Sequence, residues 1–240
     1  MKMKSIPRGL IPMELFLIRH GESENNWRPT LERVEDALLS EIGQKQVICL
    51  GKWMASLGLS DIYTSPFRRT LQTTQAIIDH VELTPQIHID LHEKGGCISG
   101  VDRHSFKGCT GITRSEIEME FPGYRIPDDL DDLGWWKNKP LETEDQLLER
   151  AERIVEFTCK QFLGSEKKVA YVMHADLKRF LLAFWLQKPE IRTDAWGKLF
   201  NTGVTKLTIE HRRVKLDMFN SIGHLPGDLV TPVGEVQSLL

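Results

Sequence analysis

One stretch near the start of the 240-residue chain reads Met13-Glu-Leu-Phe-Leu-Ile-Arg-His-Gly-Glu22. Its continuous apolar run, 15–18, is typical of a central strand that is covered on both faces. The run stops at Arg19, His20 and Gly21, and the carboxyl ends of strands are where open α/β sheets place their ligands. Because an arginine and a histidine have no packing reason to end a core strand, this corner predicts a site for an anion with a reactive phosphorus.

The next part of the chain alternates between helix and strand patterns. Apolar residues at helical spacing predict a helix that begins after Ser40 and ends at Gly58. A short strand at 61–65 leads into a second helix with Pro66 in its first turn. Alternating apolar residues over 87–91 predict a third strand. This β-α-β-α-β order is typical of a parallel sheet with helices on its faces.

The pattern returns near the carboxyl terminus. We expect a helix over 144–163, a buried strand over 168–173 that ends at His174, and an apolar helix over 177–186. A hairpin or two edge strands follow at 205–211 and 213–218. The expected fold is a single α/β domain over 1–240, a three-layer α/β/α sandwich with a mostly parallel central sheet and helices on both faces.

The segment 94–140 interrupts this alternation. It is rich in glycine and proline, and it contains one helical pattern, 114–121, with Thr113 as its cap. We expect Trp135 and Trp136 to pack this segment against the main body. An insertion after a strand, at the carboxyl edge of the sheet, is well placed to be a lid that determines specificity.

Composition limits the class of protein. Hydrophobic residues make up 40% and charged residues 27%, as in a globular protein. A formal net charge of −3 argues against a broad nucleic-acid-binding face. No apolar stretch has the length of a membrane span, and the basic segment 1–13 lacks the apolar core of a secretory signal. The cysteines are scattered, which favours a reduced, cytoplasmic protein without a cysteine-ligated metal.

A second basic motif, Ser65-Pro-Phe-Arg-Arg-Thr70, places two arginines near the start of a helix. Cations are normally disfavoured there, because the N-terminal end of the helix dipole is already positive. Two arginines at this position indicate a bound anion. Together with two strands that end at His20 and His174, this motif predicts a shared anion pocket.

These motifs resemble the histidine phosphatase superfamily, which includes the cofactor-dependent phosphoglycerate mutases. Five motifs lie in the family's order between residue 13 and about 220. They are Arg19-His-Gly-Glu-Ser23 with Asn26, Leu39-Ser-Glu-Ile-Gly-Gln44, Tyr63-Thr-Ser-Pro-Phe-Arg-Arg-Thr-Leu-Gln-Thr73, Leu91-His-Glu93 and Val172-Met-His174.

The resemblance implies a role for each matching residue. His20 is the expected nucleophile, which attacks the phosphoryl group to give a phosphohistidine. Arg19 and Arg69 are expected to bind the equatorial oxygens, because a guanidinium binds phosphate in a bidentate manner. His174 is expected to donate a further hydrogen bond, and Asn26 matches a neutral donor. Phosphoryl transfer needs mainly positioning and charge, so we expect no metal and no cofactor.

Glu93 matches the family's proton donor. Its carboxyl group would protonate the leaving alkoxide and then activate the water that cleaves the phosphohistidine. At a strand end beneath a lid, its pKa is expected to be raised. The alternative interpretation is an ordinary ion pair between Glu93 and Arg103 or Lys107.

The remaining expected contacts concern substrate binding. Ser23, Ala175 and Arg114 complete the predicted substrate-binding set with Asn26. Ala175 departs from the family, which usually has glycine after the second histidine, although its amide can still reach phosphate. The motif's register favours Arg69 over Arg68, which we interpret as a salt-bridging surface residue.

The sequence favours a phosphomonoester hydrolase that acts on a small phosphorylated metabolite. A mutase needs extra cations for a second phosphate, and those of the insertion are dispersed: Arg103, Lys107, Arg114 and Arg125. Mutase activity and a catalytically silent binding or scaffold role stay open. A metallohydrolase is disfavoured, because arginines beside the histidines repel a cation. The substrate and the oligomeric state are not determined by the sequence.

Overall fold

The computed structural model describes residues 11–102, 104–186, 196–210 and 213–231. Its strands are β1 (Met13–Arg19), β2 (Asp61–Thr64), β3 (Gln86–Ile87), β4 (Ile98–Ser99), β5 (Lys107–Gly108), β6 (Lys168–Met173), β7 (Val204–Glu210) and β8 (Arg213–Ser221). Its α-helices are α1 (Glu41–Met54), α2 (Arg68–Ile78), α3 (Arg114–Glu120), α4 (Glu144–Phe162) and α5 (Ala175–Trp185). No helix in these ranges is long and apolar enough to cross a membrane.

The central sheet has six strands in the order β3-β2-β6-β1-β7-β8. The four strands from β3 to β1 are parallel, whereas β7 is antiparallel to β1 and β8 is antiparallel to β7. The expectation of a mostly parallel sheet is therefore confirmed, and the predicted hairpin forms one edge of it. Strand β1 lies inside the sheet between β6 and β7, which explains its continuous apolar run.

Helices cover both faces of the sheet, as the alternation of side chains along β1 shows. Leu15 and Leu17 share a buried cluster with residues of α4 and α5. Phe16 and Ile18 face the other way and pack with residues of α1 and α2. Successive strand residues point to opposite faces, so the single run 15–18 supplies both halves of the core.

The prediction of a third strand over 87–91 is mostly wrong. Only Gln86 and Ile87 pair as β3, and Ile89–Leu91 form a 3-10 turn instead. Strand β2 ends at Thr64, which is the partner of Ile87, so the chain beyond this point has no neighbouring strand to pair with. A second correction concerns Pro66, which precedes α2 rather than occupying its first turn, because Phe67 is the N-cap.

The insertion folds around its own aromatic core. Helix α3 begins after Thr113, whose side chain forms a capping box with Glu116, as the sequence predicts for this cap. Strands β4 and β5 form a small antiparallel pair that the sequence did not indicate. Trp135 and Trp136 are buried in a cluster with Phe67 and Leu71, which confirms that the two tryptophans pack the insertion against the body.

Candidate active site

The two histidines at the strand ends lie side by side. Arg19 and Met173 are register partners in the parallel pair of β1 and β6, and the His20 amide donates to the Met173 carbonyl at 3.0 Å. The imidazole rings of His20 and His174 are both buried, and their centroids are 5.1 Å apart. The expectation that both strands deliver a histidine to one edge of the sheet is therefore confirmed.

A hydrogen bond fixes the tautomer of His20. Its Nδ1 lies 2.6 Å from the carbonyl oxygen of Gly21, and a carbonyl oxygen can only accept. Nδ1 therefore carries the hydrogen and Nε2 holds the lone pair. Burial holds the pKa of His20 well below its usual range, and the charges of Arg69 and Arg19 lower it further. The ring is thus neutral, with Nε2 available as a nucleophile.

Close backbone packing holds the loop after His20. An added Cβ on Gly43, in the first turn of α1, would lie 1.9 Å from the carbonyl oxygen of Glu22. Gln46 of the same helix accepts a hydrogen bond from the Glu22 amide at 2.9 Å. Because no side chain larger than hydrogen fits at Gly43, α1 approaches this loop closely and limits its movement.

Arg19 is buried and only partly satisfied. Its Nη1 donates to the Leu199 carbonyl at 2.5 Å, but its Nε has no hydrogen-bond partner in the described part of the chain. Burial lowers the pKa of Arg19 to about 10, so the group stays charged at neutral pH. A buried cation with an unused donor is energetically costly, and a bound anion removes that cost.

Arg69 lies beside both histidines. Its Nη2 donates to His174 Nδ1 at 3.2 Å, and its guanidinium carbon lies 4.1 Å from the centre of the Phe67 ring. Burial lowers the pKa of Arg69 from its ordinary value. These contacts place a second guanidinium beside the His174 ring, and its charge also lowers the pKa of His20.

Arg68 points away from this pocket. Its guanidinium pairs with Asp36 at 3.3 Å, Glu116 at 2.9 Å and Glu120 at 2.8 Å. Glu116 and Glu120 belong to α3 of the insertion, so Arg68 connects α2 to the insertion and to the loop before α1. The interpretation of Arg68 as a salt-bridging residue is confirmed.

Ser65 holds the other end of the His174 ring. Ser65 Oγ lies 2.8 Å from His174 Nε2, and the serine follows β2, the strand beside β6. Since an arginine can only donate, His174 Nδ1 accepts from Arg69, and Nε2 therefore carries the hydrogen that Ser65 accepts. A serine hydroxyl also donates, so it can support either tautomer of the ring.

Glu93 lies at the N-terminus of α5. Its Oε1 accepts from the amides of Lys94 at 2.9 Å and Leu177 at 3.2 Å. Burial raises the pKa of Glu93, and the nearby carboxylate of Asp176 raises it further, while Arg69 lowers it. The expected rise in pKa is confirmed in direction. These contacts differ from the alternative ion pair with Lys107; Arg103 lies outside the described residues.

The amide of Asn26 is oriented by three hydrogen bonds to its oxygen. Oδ1 accepts from the backbone amide of Ser23 at 2.8 Å, from the hydroxyl of Ser23 at 3.2 Å and from Nδ2 of Asn201 at 3.3 Å. Asn201 also donates to the His20 carbonyl at 3.2 Å. The Nδ2 group of Asn26 is therefore the end that can donate to a ligand, whereas the Ser23 hydroxyl donates to Asn26.

The two remaining predicted contacts have different outcomes. Ala175 is the first residue of α5, directly after His174, where unpaired helix amides favour an anion. Arg114 lies within the insertion: Nε donates to the Leu130 carbonyl at 2.9 Å and Nη2 to the Pro127 carbonyl at 2.7 Å. Its Nη1 lies 3.6 Å from Glu118. The structure therefore does not bring Arg114 to the pocket, because its donors serve the fold of the insertion.

Sequence reasoning gave no role to three residues at the site: Ser65, Asn201 and Asp176. Ser65 belongs to the motif that runs from Tyr63 to Thr73, and its position at the end of a predicted strand was a usable signal. Asn201 lies outside every motif, whereas Asp176 comes directly after Ala175 and the second strand-end histidine. In the described ranges, no group of three or more His, Cys, Asp and Glu residues is arranged to hold a metal ion.

Curated relatives of this chain include named phosphatases. It is 28% identical over 180 residues to rat 6-phosphofructo-2-kinase/fructose-2,6-bisphosphatase 1, and the match covers 74% of this chain but 33% of the rat protein. It is 24% identical over 231 residues to the glucosyl-3-phosphoglycerate phosphatase of Mycolicibacterium vanbaalenii, covering 90% and 98% of the two chains. The chain thus spans about a third of the first relative and nearly all of the second.

A solved structure shares the fold. Phosphoserine phosphatase from Entamoeba histolytica superposes with a TM-score of 0.60 at 22% identity, and the match covers 89% of this chain and all of that one. Residues 15–222 match the model of the histidine phosphatase superfamily, branch 1. This matched region contains the two strand-end histidines, both pocket arginines and Glu93. The chain belongs to the histidine phosphatase superfamily.

Proposed function

We propose that this protein hydrolyses phosphomonoesters of small metabolites through a phosphohistidine on His20. One observation carries the proposal. A buried, neutral imidazole with a free Nε2 lies beside the buried Arg19 and the half-buried Arg69, and Arg19 has an unused donor. This arrangement suits the binding of a dianionic phosphoryl group next to a nucleophile.

In the first step, Arg19 and Arg69 bind the oxygens of the phosphoryl group. His20 Nε2 attacks phosphorus and forms the N–P bond as the P–O bond to the alcohol breaks. The leaving alkoxide takes a proton from the carboxyl group of Glu93, whose pKa is raised by burial. The products of this step are a free alcohol and phosphorylated His20.

In the second step, the Glu93 carboxylate takes a proton from a water molecule as the water oxygen attacks phosphorus. The N–P bond breaks, which releases inorganic phosphate and returns His20 to its neutral form. Both steps develop charge on the phosphoryl oxygens, so Arg19 and Arg69 stabilise both transition states. Glu93 returns to its protonated form, and the cycle is complete.

The arrangement of cations favours hydrolysis over transfer between two phosphorylated positions. Arg114 is bound to main-chain carbonyls of the insertion, and Lys107 is exposed on β5. With its donors engaged in this way, Arg114 does not support a second phosphate site. The names of the curated relatives, which include phosphatases for sugar and glycerate esters, support the same reaction class. A cytoplasmic location is part of the proposal, supported by four cysteines with free thiols.

The test uses the purified chain and p-nitrophenyl phosphate. Acid-labile, base-stable phosphate on the wild-type protein, together with release of p-nitrophenol and inorganic phosphate, is the expected result. His20→Ala should abolish both signals, whereas His80→Ala, which changes an exposed histidine at the end of α2, should keep them.

Two results decide against the proposal. An unlabelled and inactive wild-type protein would favour a binding or scaffold role. Interconversion of 2- and 3-phosphoglycerate without release of phosphate from any phosphomonoester would favour a mutase.

A further inference from the structure

Glu93 is placed by irregular backbone, unlike the two histidines. His20 and His174 directly follow strands whose ladders fix them. The chain before Glu93 leaves the sheet at Ile87, makes a 3-10 turn over Ile89–Leu91 and then enters the insertion. An acid that must reach one leaving-group oxygen and one water needs a fixed position, so other contacts have to hold this segment.

Arg150 of α4 binds the segment on the N-terminal side of Glu93. The arginine is 1% exposed, and its Nη1 donates to the carbonyls of Asp90 at 2.6 Å and His92 at 2.9 Å. These two bonds determine where the backbone lies immediately before the acid. They come from a helix that is itself packed into the core through Leu147 and Ile154.

Glu142 binds the segment on the C-terminal side. Its Oε2 accepts from the Gly95 amide at 3.2 Å, and its own amide donates to the Gly95 carbonyl at 3.2 Å. The same carboxylate forms a two-point pair with Arg150, with Oε1 at 2.6 Å from Nε and Oε2 at 2.7 Å from Nη2. Glu93 therefore lies between two anchor points that belong to one buried ion pair.

The attachment of α4 to the core does not by itself explain why Arg150 and Glu142 form a buried ion pair. A buried ion pair is often no more stabilising than apolar residues of the same volume, and α4 already has an apolar face in the core. What apolar residues could not supply is the set of bonds to the backbone on both sides of Glu93. The charges cancel within the pair, so the donors and acceptors hold the segment without adding net charge near the pocket.

We propose that Arg150 and Glu142 are positioning residues that hold Glu93 for proton transfer. This inference rests on the proposed function, because it assigns the pair to the acid and base step of that reaction. Loss of the pair should impair the steps that need Glu93 and spare the attack of His20 on a substrate with a good leaving group.

The experiment compares two substrates in rapid-quench kinetics. Phosphorylation of His20 by p-nitrophenyl phosphate needs no proton for its leaving group, whereas an alkyl phosphate such as glycerol phosphate does. The variants are Arg150→Lys, which keeps the charge but loses the two-point geometry, and the double change Arg150→Met with Glu142→Met, which leaves no buried charge unpaired. Arg153→Ala is the matched control, because Arg153 lies on the same helix as Arg150 and forms an exposed ion pair with Asp90.

We expect turnover of glycerol phosphate to fall by about 10²-fold in both variants, the effect of a misplacement on the order of 1 Å. The burst of p-nitrophenol should persist, and phosphorylated His20 should accumulate because its hydrolysis also needs Glu93. The Glu93→Gln variant should show the same pattern, and Arg153→Ala should behave like the wild type.

The pH profile gives a second readout. Glu93 faces Arg19 of β1, Arg69 of α2 and Asp176 of α5, and its raised pKa depends on burial. A loosened segment should move the basic limb of the glycerol phosphate profile to lower pH.

Three results would overturn the inference or its basis. Folded variants with wild-type turnover of glycerol phosphate contradict it, and so do variants that lose the burst and the turnover equally on both substrates. A wild-type protein that never forms phosphohistidine contradicts the proposed function itself, whereas the first two results, obtained with a labelled wild type, overturn only the role of the pair.

Discussion

Replacing Ser65 by alanine tests whether the second histidine must be held at both ends. The change removes the hydroxyl that lies 2.8 Å from His174 Nε2. Arg69 at Nδ1, 3.2 Å away, is then the remaining hydrogen-bond partner of the ring in the described structure. That partner is itself expected to move to the phosphate, so the ring would lose its fixed orientation during the reaction.

The magnitude follows from burial. His174 and Ser65 are both 0% exposed, so water cannot replace the lost hydroxyl without opening the core. A buried donor without a partner costs about 1–3 kcal/mol. If the transition state bears this cost, kcat/KM falls by roughly 10- to 100-fold. Any share of this energetic cost that the free protein already bears appears as a lower Tm instead.

The assay measures kcat/KM on p-nitrophenyl phosphate together with thermal unfolding. Thr64→Val is the matched control, because the Thr64 hydroxyl is also buried but bonds to the Ser65 carbonyl rather than to the histidine. We expect both variants to lose stability and only Ser65→Ala to lose activity. A folded Ser65→Ala protein with unchanged kcat/KM, or an equal loss of activity in Thr64→Val, would refute the reasoning.

Two further predictions concern packing and pH. Gly43→Ala places a Cβ 1.9 Å from the Glu22 carbonyl oxygen, so the backbone must move. We expect the unfolding free energy, measured by urea denaturation, to fall by about 1–3 kcal/mol. We also expect a slower phosphorylation of His20. Stability should also fall as the pH drops below about 6.5, where unfolded histidines take up protons. The buried histidines whose pKa lies well below its usual range are His20, His92 and His174. The raised pKa values of Asp36, about 6, and of Glu93 act in the opposite direction, so we expect a loss of roughly 1–4 kcal/mol per pH unit. A flat dependence of unfolding free energy between about pH 7 and 5.5 would contradict this account.

The sequence was informative where one strand pattern determines one position. Apolar runs that end in His20 and His174 indicated two buried strands, and the carboxyl ends of parallel strands share an edge. The proximity of the two rings therefore needed no further information. The same holds for Ser40 and Thr113, because a helix cap is a local feature that a few neighbouring residues determine.

Contacts between distant segments could not be predicted from the sequence. The pair of Arg150 and Glu142 depends on how α4 is rotated against the segment before Glu93, and no spacing in the chain encodes that rotation. The position of Arg114 was misjudged for the same reason: its charge is visible in the sequence, whereas the carbonyls that bind it are not. The shortness of β3 depends on the length of its neighbour β2, which single-strand patterns do not show.

The insertion enters and leaves the body at nearly the same point, because Gly95 and Glu142 are bonded to each other. Evolution or a protein engineer could therefore exchange the segment between them for one of another length without separating the ends that the body holds together. Any replacement would have to cover the apolar side chains that α2 presents to the insertion, chiefly Phe67 and Leu71. It would also need acidic groups for Arg68, which now pairs with α3. Within those two demands, the fold permits the insertion to be exchanged while the sheet edge that carries the two histidines stays unchanged.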